Sequence, residues 1–218
     1  MQINNPHEGF TATVSLFSPT TAIGPDMLHP DGIRINGQTG EMAPKTGGYI
    51  KRLSELSAIF QDKIALGEQV SSYEDPVVYE VIEYRKDGSD LFFGTTTMYP
   101  GDVSGEFFMT RGHFHERRDL GEVYYTQSGK GILLLEDREG RTETVEMLPG
   151  VCAFIPPDWA HRSINVGAEK LVFVWVCNPL ASNDYGDILQ RGMRKLVVKD
   201  GVGFKVLDNP AFHMQSGR

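Results

Sequence analysis

The 218-residue chain is 40% apolar and 23% charged, carries 24 glycines and 12 prolines, and has a formal net charge of −8. That length suits one domain with a substantial core, and the composition excludes an intrinsically disordered chain. The acidic balance excludes a broad nucleic-acid footprint, which needs clustered Lys and Arg, but leaves room for a small anion held by a few local donors.

The first residues (MQINNPHEGF) lack the basic start and apolar segment of a signal peptide, and no apolar run approaches the ~20 residues of a membrane span. A cytoplasmic protein is the expectation. Residues 1–48 are rich in Pro, Gly, Asn and Thr, with short apolar patches at 14–17 and 33–35. His7 and His29 each lie beside a proline and read as surface histidines. The spacing of Leu53, Leu56, Ile59 and Phe60 predicts a short amphipathic helix over 51–60 whose stripe packs into the core.

From Val77 the pattern changes to β-branched and aromatic runs separated by Gly, Asp, Asn and Pro. The predicted strands are 77–84, 91–98, 106–115, 122–126, 131–136, 142–147 and 151–155, with 171–177 and 195–198 adding two more. Turn residues at 86–89, 128–131 and 138–140 leave no space for crossover helices, so the strands are antiparallel. The prediction is a single all-β domain over 1–218, a sandwich or barrel with its core in 76–200, a 1–75 arm and one or few short helices. Cys152 (GVCAFIP) and Cys177 (VFVWVCN) lie in apolar runs and read as buried, reduced, small hydrophobes.

One stretch carries chemistry. His113 and His115 are two apart, a spacing that on a strand aims both imidazoles at one locus. Glu122 opens the next strand after the polar turn 116–121 and can return to the same point. Two imidazoles and a carboxylate suit Fe, Mn, Ni or Zn and leave positions open for a substrate or water. The segment 148–165 (LPGVCAFIPPDWAHRSIN) adds His161, placed just past a sharp bend set by Gly150, Pro156 and Asp158. A lone histidine is most often a hydrogen-bonded core or surface residue; three histidines and a glutamate in two β segments favour a metal.

Those residues also carry a family resemblance. Gly150-x5-Pro156-x-Asp158-x2-His161-x3-Asn165 resembles the second cupin motif, with Asp158 in place of the usual Gly. His113-x-His115-x6-Glu122-x6-Gly129 resembles the first, with a longer gap before the Glu. Together with Thr96, Pro100-Gly101, Gly105-Glu106-Phe107, Thr110 and Gly112-His113, the stretch 91–187 resembles the cupin-type phosphoglucose isomerases of archaea and some bacteria.

The resemblance implies a cupin-type antiparallel β-barrel of jelly-roll-like build, in a homodimer whose N-terminal arms reach the partner. It implies one divalent transition metal per chain, Fe2+ foremost with Mn, Ni or Zn as alternatives, held by His113, His115, Glu122 and His161. A sugar phosphate of glycolysis and gluconeogenesis would bind near Thr96, Thr110 and Gly112, with Tyr124 beside the metal-bound end. Thr hydroxyls and a glycine N–H are phosphate donors, and Arg111 offers a further charge. The resemblance also leads to the expectation of an aromatic residue where Cys177 stands and another near Asp158.

Interconverting glucose 6-phosphate and fructose 6-phosphate moves hydrogen between C1 and C2, by an enediol or a hydride shift. A metal that polarises the C1 and C2 oxygens assists either route. In the first, Glu122 is the candidate base; in the second it is a ligand only, with Tyr124 hydrogen-bonding the substrate oxygens. Two rivals use the same scaffold: another cupin metalloenzyme such as a dioxygenase, with an apolar or aromatic-acid pocket, and a non-catalytic sugar-binding cupin.

Overall fold

The computed structural model describes residues 28–212, and the architecture lies in the compact unit Asp31–Arg218. The patch at 14–17 and His7 lie outside the described residues; His29 is exposed. Strand β1 (Gly47–Arg52) leads through a 3-10 turn (Ser54–Ile59) to helix α1 (Lys63–Ser72). Then come β2 (Val77–Arg85), β3 (Phe92–Met98), β4 (Glu122–Ser128), β5 (Gly131–Asp137), β6 (Thr142–Met147), β7 (Cys152–Ile155), β8 (Trp159–Asn165) and β9 (Leu171–Cys177). Helix α2 (Gly186–Arg191) and the hairpin β10 (Lys195–Asp200) and β11 (Gly203–Asp208) finish the unit.

All the strand pairings are antiparallel. A six-stranded sheet has the order β7-β4-β9-β3-β2-β1, and a three-stranded sheet β6-β5-β8 faces it. The short loops between runs of alternating polarity dictate this, because each run needs a neighbour it can reach by a tight turn. Between the sheets lie Leu133, Leu135, Phe114, Ile155 and Phe173, each 3% exposed or less. Burying a side chain of that kind stabilises by ~1.5–3 kcal/mol, so this shared core holds the two sheets at a fixed spacing. The expected all-β sandwich therefore forms, although its sheets do not close into one hydrogen-bonded barrel.

Register across the six-stranded sheet fixes what faces the interior. One row runs Arg85, Phe92, Cys177, Glu122, and the next but one runs Tyr49, Val81, Thr96, Phe173, Thr126. Between them lies the row Glu83, Gly94, Trp175, Tyr124. Because strand side chains alternate, these three rows share one face and form the floor of a pocket.

Several sequence expectations are corrected. The helix over 51–60 is instead the end of β1 followed by a 3-10 turn; Leu53, Leu56 and Phe60 are buried as their spacing requires, but an edge strand and a tighter turn bury them. The α-helix begins later, where the Asp62 carboxylate caps it by accepting from the Ile64 and Ala65 N–H groups. The run 106–115 is not one strand. It is a pair of two-residue strands, Glu106–Phe107 and Phe114–His115, joined by irregular chain that bridges at Met109 and His113, because Gly112 turns the backbone at φ +78°. His161 does lie just past the bend at 156–158, as the third residue of β8. Cys152 is exposed on the edge strand β7 and Cys177 is half-buried; both thiols are free.

Candidate metal centre and pocket

The irregular segment and β8 create the site between them. His113 and His161 form an antiparallel bridge, each backbone N–H donating to the other's carbonyl at 3.3 and 3.0 Å. That pairing sets their rings 4.4 Å apart, and His115, one strand pleat on, brings its ring to 5.3 Å from His161. Glu122 approaches from the opposite sheet at the start of β4, its Oε2 lying 3.3 Å from His115 Nε2 and 3.2 Å from His161 Nε2. One donor atom from each of these four residues lies within 4.8 Å of the others.

The outer nitrogens are already committed. His115 Nδ1 lies 3.0 Å from the Leu120 carbonyl and His161 Nδ1 3.3 Å from the Trp159 carbonyl. A carbonyl can only accept, so each Nδ1 carries the proton and each Nε2 presents its lone pair to the centre. His161 Nε2, although near Glu122, makes no hydrogen bond of acceptable geometry and is shut off from solvent. A buried nitrogen without a partner costs free energy that a metal would recover.

The electrostatics agree. Burial opposes the charge on Glu122, but its close contacts with His115 and His161 outweigh it and hold the carboxyl at about 2. Burial, reinforced by His161, keeps His113 well below the usual imidazole range. Burial also opposes charge on His115, but the Glu122 contact and the Leu120 carbonyl raise its pKa overall. An ionised carboxylate amid imidazoles with inward lone pairs is the donor set a divalent transition metal takes.

Three of the donors, His113, His115 and Glu122, line a cavity of about 470 Å³, with His161 set against Glu122 just behind that wall. Tyr124 lines it too, 8% exposed, stacked 4.7 Å from Phe173 and edge-on to His161 at 5.7 Å. Burial, then the nearby Glu122 charge, keeps its phenol protonated. Thr96, Thr110, Arg111 and Gly112 all line the cavity as well. Thr110 Oγ1 accepts the Ser163 N–H at 3.0 Å, which leaves its own O–H free to donate inward. Arg111 donates to the Glu55 carbonyl at 3.1 Å and lies over the Tyr185 ring at 5.3 Å, so its charge is held at the rim.

Sequence reasoning missed much of the rest of the wall, including Tyr49, Tyr79, Glu83, Arg85, Trp175 and Tyr185. Alternation carried a signal for some of them, since Trp175 shares the face of Phe173 and Cys177, and Glu83 and Arg85 continue the face of Tyr79 and Val81. At Gly94 a Cβ would meet Trp175 Cζ2 at 2.4 Å, so the glycine lets the indole lie across its strand. Asp158, at the position of the motif's glycine, has φ +63° and pairs with Arg118 and Arg138.

The sequence model of the family Glucose-6-phosphate isomerase (GPI) matches residues 50–212. The glucose-6-phosphate isomerase of Thermococcus onnurineus is 44% identical over 183 residues, spanning 83% of this chain and 95% of that protein. The glucose-6-phosphate isomerase of Pyrococcus furiosus is 42% identical over 185 residues, spanning 83% of this chain and 96% of that protein. Among solved structures, an oxalate decarboxylase from Lactobacillus farciminis matches with a TM-score of 0.42 and 21% identity, over 48% of this chain and 30% of that one.

Proposed function

The chain belongs to the glucose-6-phosphate isomerase family and is an aldose–ketose isomerase, and we propose that it works at the cavity built on His113, His115, Glu122 and His161, with one divalent transition metal. The convergence of those four donors carries the reading. Fe2+ is the first candidate, since imidazole and carboxylate suit it, with Mn, Ni and Zn as rivals.

When bound, the metal supplies Lewis-acid polarisation of the sugar's C1 and C2 oxygens. Glu122 acts first as a ligand, because the same oxygen that faces His115 also faces His161. Tyr124 holds a proton on its hydroxyl beside that carboxylate and donates it in a hydrogen bond to a substrate oxygen. Thr96, Thr110 and the Gly112 N–H hold the phosphate, and Arg111 adds charge at the rim. These anion donors favour a sugar phosphate over the apolar or aromatic-acid substrate of a dioxygenase. If Glu122 also takes the proton in an enediol route and exchanges it with solvent, deuterium enters C2 during turnover, which would sink a pure hydride shift; a shielded base returns the same proton and brings none.

The test is turnover of fructose 6-phosphate, read by a glucose-6-phosphate-linked assay, before chelation, after it and after metal is restored. Activity should fall on chelation and return with metal. Full activity in thoroughly chelated protein would sink the metal reading, and no activity in any metal state would sink this site as the isomerase centre.

We also propose one domain over the described residues, a cytoplasmic location, and a homodimer. No helix among the described residues is long and apolar enough to cross a membrane, and both thiols are free, which fits a reducing compartment. The outward row Phe154, Val123, Val176, Phe93, Tyr84 crosses five strands of the six-stranded sheet, and Phe154 is 65% exposed. An apolar face of that extent suits burial against a second copy. A monomer mass by light scattering at working concentration would refute the dimer.

A further inference from the structure

Arg162 is the one arginine of the described residues that is both 3% exposed and without a carboxylate within ion-pair distance. It follows His161 on β8, so it points to the opposite face, behind the cavity wall. Its Nη2 donates to the Arg111 carbonyl at 2.6 Å, and its Nε has no hydrogen-bond partner. A Cβ placed on Gly112 would lie 3.0 Å from that Nε, so the guanidinium sits directly under the Arg111–Gly112 peptide.

A trans peptide directs its C=O and its N–H to opposite sides. The Arg111 carbonyl is drawn backward by Arg162, so the Gly112 N–H is turned forward, toward the cavity that Gly112 lines. A hydrogen bond from a cation also polarises the peptide and strengthens the N–H as a donor. A bulky residue at 112 would separate the guanidinium from the backbone it holds, which gives glycine a second reason to occupy this site beyond its φ of +78°.

We propose that Arg162 is the positioning residue of the phosphate subsite: it touches no substrate, but fixes and polarises the Gly112 N–H that does, and backs the bound anion with a buried positive charge. A buried charge is costly and is retained where it is used. The Glu106 and Glu136 carboxylates attract it only from beyond ion-pair distance; burial raises the Glu106 pKa, and Glu136 is already paired with Arg191. The bound phosphate is then the counter-charge that Arg162 lacks in the free protein. This rests on the assignment of Thr96, Thr110 and Gly112 to the phosphate.

The experiment compares the metal-loaded protein with its Arg162→Gln and Arg162→Lys variants. It reads KM and kcat for fructose 6-phosphate, inhibition by inorganic phosphate, inhibition by unphosphorylated sorbitol, and metal content. In Arg162→Gln, KM and the phosphate inhibition constant should rise about tenfold, ~1.4 kcal/mol, while sorbitol inhibition and metal content hold. Arg162→Lys should recover part of the loss, and it carries the test alone if the glutamine variant does not fold. Unchanged phosphate affinity in the variant, or an equal loss for sorbitol, would overturn the proposal. Absence of phosphate inhibition in the wild-type protein would instead overturn the subsite assignment on which it rests.

Discussion

His161→Ala is the sharpest test of the metal centre, because its effect separates into two measurable parts. In metal-free protein the substitution removes the 3.3 Å contact of Nδ1 to the Trp159 carbonyl, worth ~1 kcal/mol. It also removes the orphaned Nε2, whose burial costs ~1–3 kcal/mol. The truncation also leaves a cavity at a site 1% exposed and takes away part of what keeps Glu122 ionised. The metal-free variant should therefore be less stable than the wild type by about 2–4 kcal/mol, and the effect of metal is read within each protein. The metal-dependent part behaves differently. At a free metal concentration one hundred times Kd, binding stabilises the wild type by ~2.7 kcal/mol, which raises Tm by about 5–11 °C for a domain of this size. Loss of one of four ligands should weaken binding by at least about 100-fold. At the same metal concentration the variant then gains only ~0.4 kcal/mol, a rise of about 1–2 °C. The assay is thermal unfolding of chelated and metal-loaded samples, with elemental analysis of bound metal. A variant whose Tm still climbs as far as the wild type's on metal addition would show that His161 is not a ligand.

Three further outcomes follow from the same geometry. Thr110→Ala removes one hydrogen bond to a charged phosphate, so KM for fructose 6-phosphate should rise about tenfold (~1.5 kcal/mol) with metal content unchanged; a loss of metal would mean that the anion and metal walls are not separate. Gly94→Ala sets a Cβ 2.3 Å from the Ile82 carbonyl oxygen and 2.4 Å from Trp175 Cζ2. Such overpacking against backbone should cost ~3 kcal/mol and lower Tm by about 6–12 °C, and an unshifted Tm would contradict the packing. The third concerns pH in metal-free protein. Glu122 is held at about 2 against an ordinary 4.5. Its depressed pKa therefore contributes ~3 kcal/mol that is fully present above pH 4.5 and lost as the pH falls toward 2. Glu122→Gln should lack that portion of the acid-unfolding curve, and identical curves for the two proteins would refute the assignment.

The four-donor cluster was readable because its signal is local: His113 and His115 share a strand face by spacing alone, and Glu122 opens the next run. His161 was readable as a residue type after a turn, but its placement within β8 was not, since the seven residues from Trp159 to Asn165 have no clear alternation. All but Trp159 are buried, and His161 and Arg162, which alternate between the two faces of β8, are 1% and 3% exposed, so both faces are covered. A strand covered on both faces loses the two-residue period on which sequence reading depends. The pocket floor was hidden for a different reason. Glu83, Gly94 and Trp175 become neighbours only through the register of three strands, and register is a property of the assembled sheet. Local pattern likewise misread 51–60, where a helical spacing of buried residues is met by an edge strand and a 3-10 turn.

The two departures from the motif pattern resolve differently. Asp158 stands where a glycine is usual, and the backbone keeps the left-handed conformation that glycine would supply, at φ +63°. Aspartate is among the few residues that tolerate this region, and its carboxylate is engaged by Arg118 and Arg138 on the protein surface, away from the ligand atoms. The turn into β8 is thus preserved and His161 arrives in register. Cys177 is a change of another kind, because it lies in the row beside Glu122, where an aromatic was expected. The neighbouring strand provides aromatic surface there: Phe92 is the cross-strand partner of Cys177 and packs edge-on against Trp175 at 4.8 Å. Arg85 lies over that ring, 4.2 Å from its centroid. Burial and the adjacent Glu122 charge push the thiol up to about 12, so in metal-free protein Cys177 keeps its proton near neutral pH. What the substitution alters is the shape of the wall next to the metal-binding carboxylate: an apolar side chain smaller than an aromatic ring, with Phe92 and Arg85 behind it. Under the proposed assignment, in which Thr96, Thr110 and Gly112 meet the phosphate common to all the sugars, discrimination among them falls to this row.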